Sequence, residues 1–131
     1  MPKRPPDPQE LLPLTPVVLH ILLALAGADG DEQQHGRHGY AVAQEVEELT
    51  GGQIRMGPGT LYGSIQRMLG AALIEEAPRS RGRAGGEDDD RRRYYRLTVL
   101  GRRVLQLELA RLAQVLRIAR RKHLLPGPEP A

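Results

Sequence analysis

The residue types that most often carry catalysis or bind metals are sparse in this sequence, and they form no recognisable site. His35 and His38 have a spacing that suits a metal on a helix, but they fall in a glycine-containing loop with no further ligand nearby. The run Asp88–Asp90 could attract a divalent cation, yet pairing with the adjacent Arg91–Arg93, or simple solvation, is the plainer interpretation. Neither serine lies in a nucleophile elbow, and cysteine is absent. We therefore predict no enzyme, with no catalytic residue, no metal site and no cofactor.

A different pattern, in the stretch RMGPGTLYGSIQRML (55–69), suits binding to nucleic acid. Small or polar residues recur at helical spacing opposite an apolar stripe, so the outward face of the helix is thin enough to enter a groove about 12 Å wide. Gly63 would let the backbone approach, and the longer polar side chains would reach base edges or phosphates. The predicted contacts are Thr60, Tyr62, Gly63, Ser64, Gln66 and Arg67. An ordinary amphipathic helix with a polar outer face would show the same pattern.

Arginines in the glycine-rich segment that follows strengthen the nucleic-acid interpretation. Six of them fall between residues 79 and 93, and arginine on a flexible tip can follow phosphates or enter a minor groove. The acidic block Glu87–Asp90 adjoins three of the six, so we predict contacts from the other three, Arg79, Arg81 and Arg83. A solvated loop without contacts is the alternative.

The charge distribution agrees with a polyanionic partner. The formal net charge is +3, but residues 1–50 carry −5 and residues 51–125 carry +9. A basic second half is typical of chains that bind nucleic acid, although it also serves solubility. The longest apolar run, 17–28, is too short for the roughly 20 residues of a membrane span, and no signal peptide is evident, so we expect a cytoplasmic protein.

The elements that must position these residues follow from local signals. Five prolines predict an irregular arm over 1–13, and a polar, glycine-punctuated stretch predicts a loop over 28–38. We predict helices over 14–27, where Thr15 is the N-cap and Pro16 the first helical residue, over 40–50, from 57 to about 72, and from a Thr98 cap to about 123. Short strands are predicted at 53–56, 73–77 and 92–98, the last two forming a hairpin.

The last predicted helix carries an apolar seam that suits pairing with a second copy. Its residues alternate spacings of four and three, as in a coiled coil. They are Leu105, Leu109, Leu112, Leu116 and Ala119. The chain also lacks Phe and Trp, so a partner subunit could complete its burial. Three helices and a hairpin in this order predict a mainly α fold with a small β-hairpin, the winged helix-turn-helix. We predict that this domain covers 14–97 and that it is followed by a dimerisation helix over 98–124 and a tail over 125–131.

Four segments resemble the PadR family of bacterial transcriptional regulators. They are LTPVVLHILLALAG (14–27), HGYAVAQEVEELTGG (38–52), GPGTLYGSIQRMLGAALIEE (57–76) and RRYYRLTVLGRRVL (92–105). The resemblance is most specific at Pro-Gly-Thr-Leu-Tyr and Tyr-Tyr-Arg-Leu-Thr. It implies a homodimeric winged-helix repressor in the small subfamily, whose single C-terminal helix dimerises, and a small-molecule effector at the dimer interface.

The resemblance also implies residue roles. Tyr40 matches a position near DNA in the family, as do Thr60, Tyr62, Ser64 and Arg67. Tyr95 and Leu97 match inward positions of the second wing strand; strand alternation agrees and places Tyr94 and Arg96 outward. The expected partners are double-stranded DNA on a pseudo-palindromic operator and a second copy of the chain. A protein-interaction module that has lost DNA binding is the alternative, since the wing block and the first half of the chain are acidic.

Overall fold

A computed structural model of the chain describes residues 7–26, 37–77 and 93–126. Its helices are a 3-10 turn, Pro8–Leu11, then α1, Pro16–Ala26, α2, Gly39–Leu49, α3, Pro58–Gly70, and α4, Val99–Arg121. Its strands are β1, Arg37–His38, β2, Ile74–Glu76, and β3, Tyr94–Leu97. The predicted fold class is confirmed: the chain is mostly helical, with an antiparallel hairpin and a long C-terminal helix.

Helix starts are set by side chains that accept hydrogen bonds from otherwise unpaired backbone N–H groups. The Val18 N–H donates to Thr15 Oγ1 at 3.2 Å, which confirms the predicted cap of α1. At α2 the cap is His38, whose Nδ1 accepts from the Ala41 N–H at 3.2 Å, so the helix begins at Gly39, one residue before the predicted start. Gly57 precedes α3 without a side-chain bond, and Pro58 is its first residue. Side-chain caps therefore mark the starts of α1 and α2, whereas a proline marks the start of α3.

The sheet has three strands in the order β1-β3-β2, all antiparallel. The predicted hairpin is present as β2 and β3, with Glu75 opposite Arg96. The strand predicted at 53–56 is wrong: that stretch forms no strand, and β1 supplies the third one by pairing with Tyr94 and Tyr95. Ile54 and Met56 instead pack partly buried against the core. A strand of two residues leaves too little pattern in a sequence to be found there.

The pairing of β1 with β3 explains why Tyr94 is buried. Its exposed fraction is 9%, and its ring meets that of His38 edge-on with centroids 5.7 Å apart. The prediction that Tyr94 points outward is therefore wrong, because β1 and the cap of α2 cover that face. Tyr95 is buried as predicted.

One apolar core joins all the main elements. Its members come from α1 (Ile21, Leu22, Ala24, Leu25), α2 (Val42, Val46), α3 (Leu61, Ile65, Met68), the turn after α3 and the hairpin (Leu73, Ile74, Tyr95) and α4 (Val104, Leu105). Residues 7–13 of the segment predicted to be an irregular arm are more ordered than expected, because their 3-10 turn packs on α4. Leu11, Leu12 and Leu14 lie against the core, and the Leu14 N–H donates to Glu108 Oε2 at 2.8 Å. Within the described parts of the chain, no helix has the length and apolar character to cross a membrane.

A single hydroxyl connects the start of α4 to the end of α3. Thr98 Oγ1 accepts from the Gly101 N–H at 2.9 Å, as predicted for its cap, and donates to the Ala72 carbonyl oxygen at 2.6 Å. Gly101 is buried so closely against this turn that a Cβ there would overlap the Leu73 carbonyl oxygen. The base of α4 is thus fixed directly to the turn that joins α3 to β2.

Candidate nucleic-acid interface

The polar face of α3 is where the sequence predicted it, with one exception. Thr60, Tyr62, Gln66 and Arg67 are exposed, and Gly63 is partly exposed between them. Leu61, Ile65 and Met68 bury the opposite face. Four of the predicted contact side chains therefore share one accessible surface on a helix whose other face is fixed in the core.

Ser64 is the exception, since only 1% of its surface is exposed. Position 64 lies three residues after Leu61 and four before Met68, so the helical repeat places it on the buried stripe. Its Oγ accepts a hydrogen bond from Arg67 Nη2 at 3.2 Å. The prediction that Ser64 lies on the outward face is wrong. Ser64 is buried, and it is connected to that face through its hydrogen bond with Arg67.

Nothing in the fold requires glycine at the exposed positions of α3. A Cβ at Gly59 would have no atom within 4 Å, and one at Gly63 would meet only Arg67 Nη1 at 3.7 Å, an ordinary contact. Neither glycine has a positive φ. Because glycine weakens a helix by roughly 0.5–1 kcal/mol relative to alanine, the small residue at 63 costs stability without any benefit inside the chain.

A cleft of about 530 Å³ opens beside α3, between the start of α2 and the base of the wing. Its lining residues are His38, Gly39, Tyr40, Tyr62, Gln66, Arg93 and Tyr95. Gly39 fixes its shape, because a Cβ there would come within 3.3 Å of both the Tyr62 ring and Ile65. Tyr40, which only the family resemblance implicated, is 63% exposed at the edge of this cleft.

The base of the wing carries two ion pairs between its strands. Arg93 Nη1 lies 2.8 Å from Glu76 Oε1, and Arg96 Nη2 lies 3.1 Å from Glu75 Oε2. Burial raises the pKa of the Tyr95 phenol, and the Glu76 carboxylate raises it further. Residue type alone does not separate Arg93 from the arginines beside it; its place directly before β3 is the signal that distinguishes it. The predicted contacts Arg79, Arg81 and Arg83 lie outside the described residues, as do the acidic block and most of the 28–38 loop.

The predicted dimer seam on α4 divides into two parts. Leu105 is 4% exposed and belongs to the core of its own chain, so its assignment to a subunit interface is wrong. Further along, Leu109 and Leu116 are exposed while Leu112 and Ala119 are partly covered. Val115 and Ile118 add exposed apolar surface to the same half of the helix. The part of the predicted seam that remains available to a partner thus begins at Leu109.

Within residues 7–26, 37–77 and 93–126, no group of three or more His, Asp or Glu side chains could hold an ion. Every buried side-chain nitrogen or oxygen in these ranges has a hydrogen-bond partner.

Comparison with known proteins agrees with this architecture. The sequence model of the transcriptional regulator PadR-like family matches residues 32–107, which is more than half of the chain and includes α2, α3 and the wing. The chain belongs to the PadR-like family. The matched family is one of transcriptional regulators.

Similar proteins extend the comparison without naming an operator or a ligand. This PadR-like chain is 32% identical over 95 residues to an uncharacterised 37.1 kDa protein of a Streptomyces fradiae transposon. That match covers 72% of this chain, and the chain spans about a quarter (23%) of the length of that relative.

Two solved structures share the PadR-like fold. A transcriptional regulator from Clostridium thermocellum matches with a TM-score of 0.57 and 21% identity, over 80% of this chain and 90% of its own. A PadR-like transcription factor from Bacteroides fragilis matches with a TM-score of 0.57 and 18% identity, over 80% and 87%. Identities this low support the fold alone.

Proposed function

We propose that the protein is a transcriptional repressor that binds a pseudo-palindromic DNA operator as a homodimer. The observation that carries the proposal is Gly63. It interrupts a helix at a cost in stability, it has no packing or conformational role in the chain, and it lies between exposed polar side chains. Because no contact within the chain requires the missing side chain at Gly63, we explain it by the close approach of an external surface. The floor of the major groove is such a surface.

In this arrangement α3 is the recognition helix. Thr60, Tyr62, Gln66 and Arg67 supply donors and acceptors for base edges and phosphates. The two α3 helices of a dimer would enter successive major grooves about 34 Å apart. The wing arginines Arg79, Arg81 and Arg83 would follow flanking phosphates or the minor groove. Acting on bacterial DNA, the protein would work in the cytoplasm.

Direct binding measurements test the DNA assignment. The protein should shift the DNA upstream of its own gene at low salt, and no shift by a dimer would contradict the assignment. Arg67→Ala should weaken binding to the selected site more than binding to random duplex, because a base contact discriminates whereas a phosphate contact does not. Equal losses on both DNAs would make Arg67 a phosphate contact.

The dimer is supported by the second half of α4. From Leu109 onwards this helix exposes Leu109, Val115, Leu116 and Ile118, whereas Val104, Leu105 and Glu108 in its first half are buried. A polar residue in the middle of that surface, Leu116→Glu, should therefore convert dimers to monomers. Light scattering at micromolar concentration measures this, and Gln114→Glu, on the same turn, is the charge-matched control. A monomeric wild type would contradict the proposal.

Repression and its relief form the last part of the proposal. A dimer seated on an operator within a promoter would exclude polymerase, and an effector bound at the dimer interface would release it. Helix α4 has no aromatic residue, so its contribution to such a binding site would be aliphatic. A reporter fused to the selected operator should rise when the gene is deleted; a fall would identify an activator.

A further inference from the structure

The cleft beside α3 concentrates nearly all the aromatic character of the protein. The chain has four tyrosines and neither Phe nor Trp. Tyr40, Tyr62 and Tyr95 line the cleft, and Tyr94 contacts His38, which lines it too. Tyr40 and Tyr62 are well exposed, so packing alone does not explain why these positions carry tyrosine. The cleft therefore presents phenol groups, which donate hydrogen bonds, on a surface open to a ligand.

Arg93 gives the cleft its cation. Its Nη1 donates to Glu76 Oε1 at 2.8 Å, and a guanidinium has five N–H donors, so this bond uses only one of them. Arg93 lines the cleft together with Tyr62 and Tyr95, and Glu76 joins this group through its ion pair with Arg93. Gln66 adds an amide from the exposed face of α3.

The cleft is lined by a guanidinium, phenols and an amide, all of which can donate hydrogen bonds to an oxyanion. The cleft is bounded by α3 on one side and by the base of the wing on the other, and a nucleic-acid backbone would pass between these two elements. We propose that the cleft holds one backbone phosphate of duplex DNA in each protomer, with Arg93 as its cation and Glu76 holding that side chain in place while offsetting its charge. This assignment rests on the proposed function and adds a contact outside α3 and the wing tip.

The second wing-base ion pair makes an internal control. Arg96 and Glu75 are opposite each other on the same two strands and at a similar distance, but neither lines the cleft. Arg96→Ala therefore removes the same charge and the same kind of ion pair as Arg93→Ala. In the same way, Glu75→Gln matches Glu76→Gln.

The test measures the dissociation constant for a random-sequence duplex as a function of salt. Neutralising one phosphate contributes about 0.9 to the slope of log K against log salt. Arg93→Ala should flatten the slope by about that amount per protomer, so between about 50 and 200 mM salt the variant should lose roughly 3.5-fold less affinity per protomer than the wild type. Glu76→Gln should strengthen binding and steepen the slope, because its amide still accepts from Arg93 but no longer offsets the charge. Arg96→Ala and Glu75→Gln should change the slope much less.

Equal effects of Arg93→Ala and Arg96→Ala would overturn the cleft assignment and indicate a general effect of charge. An unchanged slope in Arg93→Ala, while the wild type binds DNA, would overturn the cleft alone; a wild type that binds no DNA would overturn the proposed function and the cleft with it. Thermal melts should show both arginine variants folded, and Glu76→Gln provides the same test should Arg93→Ala not fold. Titration with inorganic phosphate, followed by tyrosine fluorescence, separates a free anion from DNA: a saturable micromolar response that requires Arg93, without a change in slope, would overturn the DNA assignment.

Discussion

Gly63→Ala should make the protein more stable and a weaker DNA binder, and the two effects have separate causes. The added Cβ would meet only Arg67 Nη1 at 3.7 Å, so the chain accepts it without rearrangement. Alanine in place of glycine in a helix interior stabilises by roughly 0.5–1 kcal/mol. For a domain of this size, about 1 kcal/mol corresponds to a rise in Tm of roughly 4 °C.

The loss on the DNA side follows from distance. The same methyl group would lie between the backbone of α3 and the floor of the groove, where it would hold Arg67 and Gln66 away from base edges. One good side-chain contact to a base is worth about 1–3 kcal/mol. We therefore expect affinity for the selected operator to fall between about 5-fold and 150-fold per half-site.

Two measurements on the wild type, Gly63→Ala and Gly70→Ala test this prediction. Thermal unfolding gives the change in stability, and fluorescence anisotropy on operator and random duplex gives the two affinities. Gly70→Ala is the matched control, because a Cβ there meets no atom within 4 Å and lies at the far end of the same helix. It should raise Tm and leave DNA binding unchanged. A Gly63→Ala protein that is more stable and binds its operator as tightly as the wild type would refute the reasoning.

Three further predictions concern the fold. Thr98→Ala should lower the free energy of unfolding by about 1–2 kcal/mol in urea titrations, whereas Thr98→Ser should not, because serine retains the cap. Gly101→Ala should lower the free energy of unfolding by more than the roughly 1–3 kcal/mol of a typical overpacking change, because its Cβ overlaps backbone. Soluble yield and the urea midpoint should both fall. Wild-type values for both would contradict this prediction. The Arg111 guanidinium, together with the Leu14 N–H, holds the pKa of Glu108 below its ordinary value against the opposing effect of burial. A lowered folded pKa adds stability above the ordinary carboxyl pKa near 4.3 and loses it as pH falls through the folded value, so the stability gap between wild type and Glu108→Gln should close with acid; a gap independent of pH would contradict this.

Local signals carried most of the secondary structure. Thr15 and Thr98 were identified as caps from residue type and from the apolar repeat that follows them, and both accept the expected backbone hydrogen bond. Such signals need only neighbours in sequence, so they are readable without a structure. The order of helices and strands then follows, and with it the winged fold.

What the sequence missed depends on contacts between distant segments, with one exception. Tyr94 is buried by β1, which lies more than fifty residues earlier, and strand alternation alone cannot include such a cover. Leu105 follows the coiled-coil spacing of α4 as well as Leu109 does, and only the packing of the domain separates them. Ser64 is the exception, because its spacing from Leu61 and Met68 already placed it on the buried stripe; its polar side chain obscured that position.

Only one residue, Thr98, lies between β3 and α4, so a movement of the last helix is transmitted directly to the wing. With 23 residues at 1.5 Å rise, α4 is about 34 Å long, and Thr98 fixes one end of it to the wing and to the turn after α3. In the proposed dimer, a tilt of about 5° between the far ends of the two α4 helices would therefore move the opposite ends by roughly 3 Å, close to the 3.4 Å between successive base pairs. A change of that size would be large enough to bring the two α3 helices of the proposed dimer into or out of register with DNA.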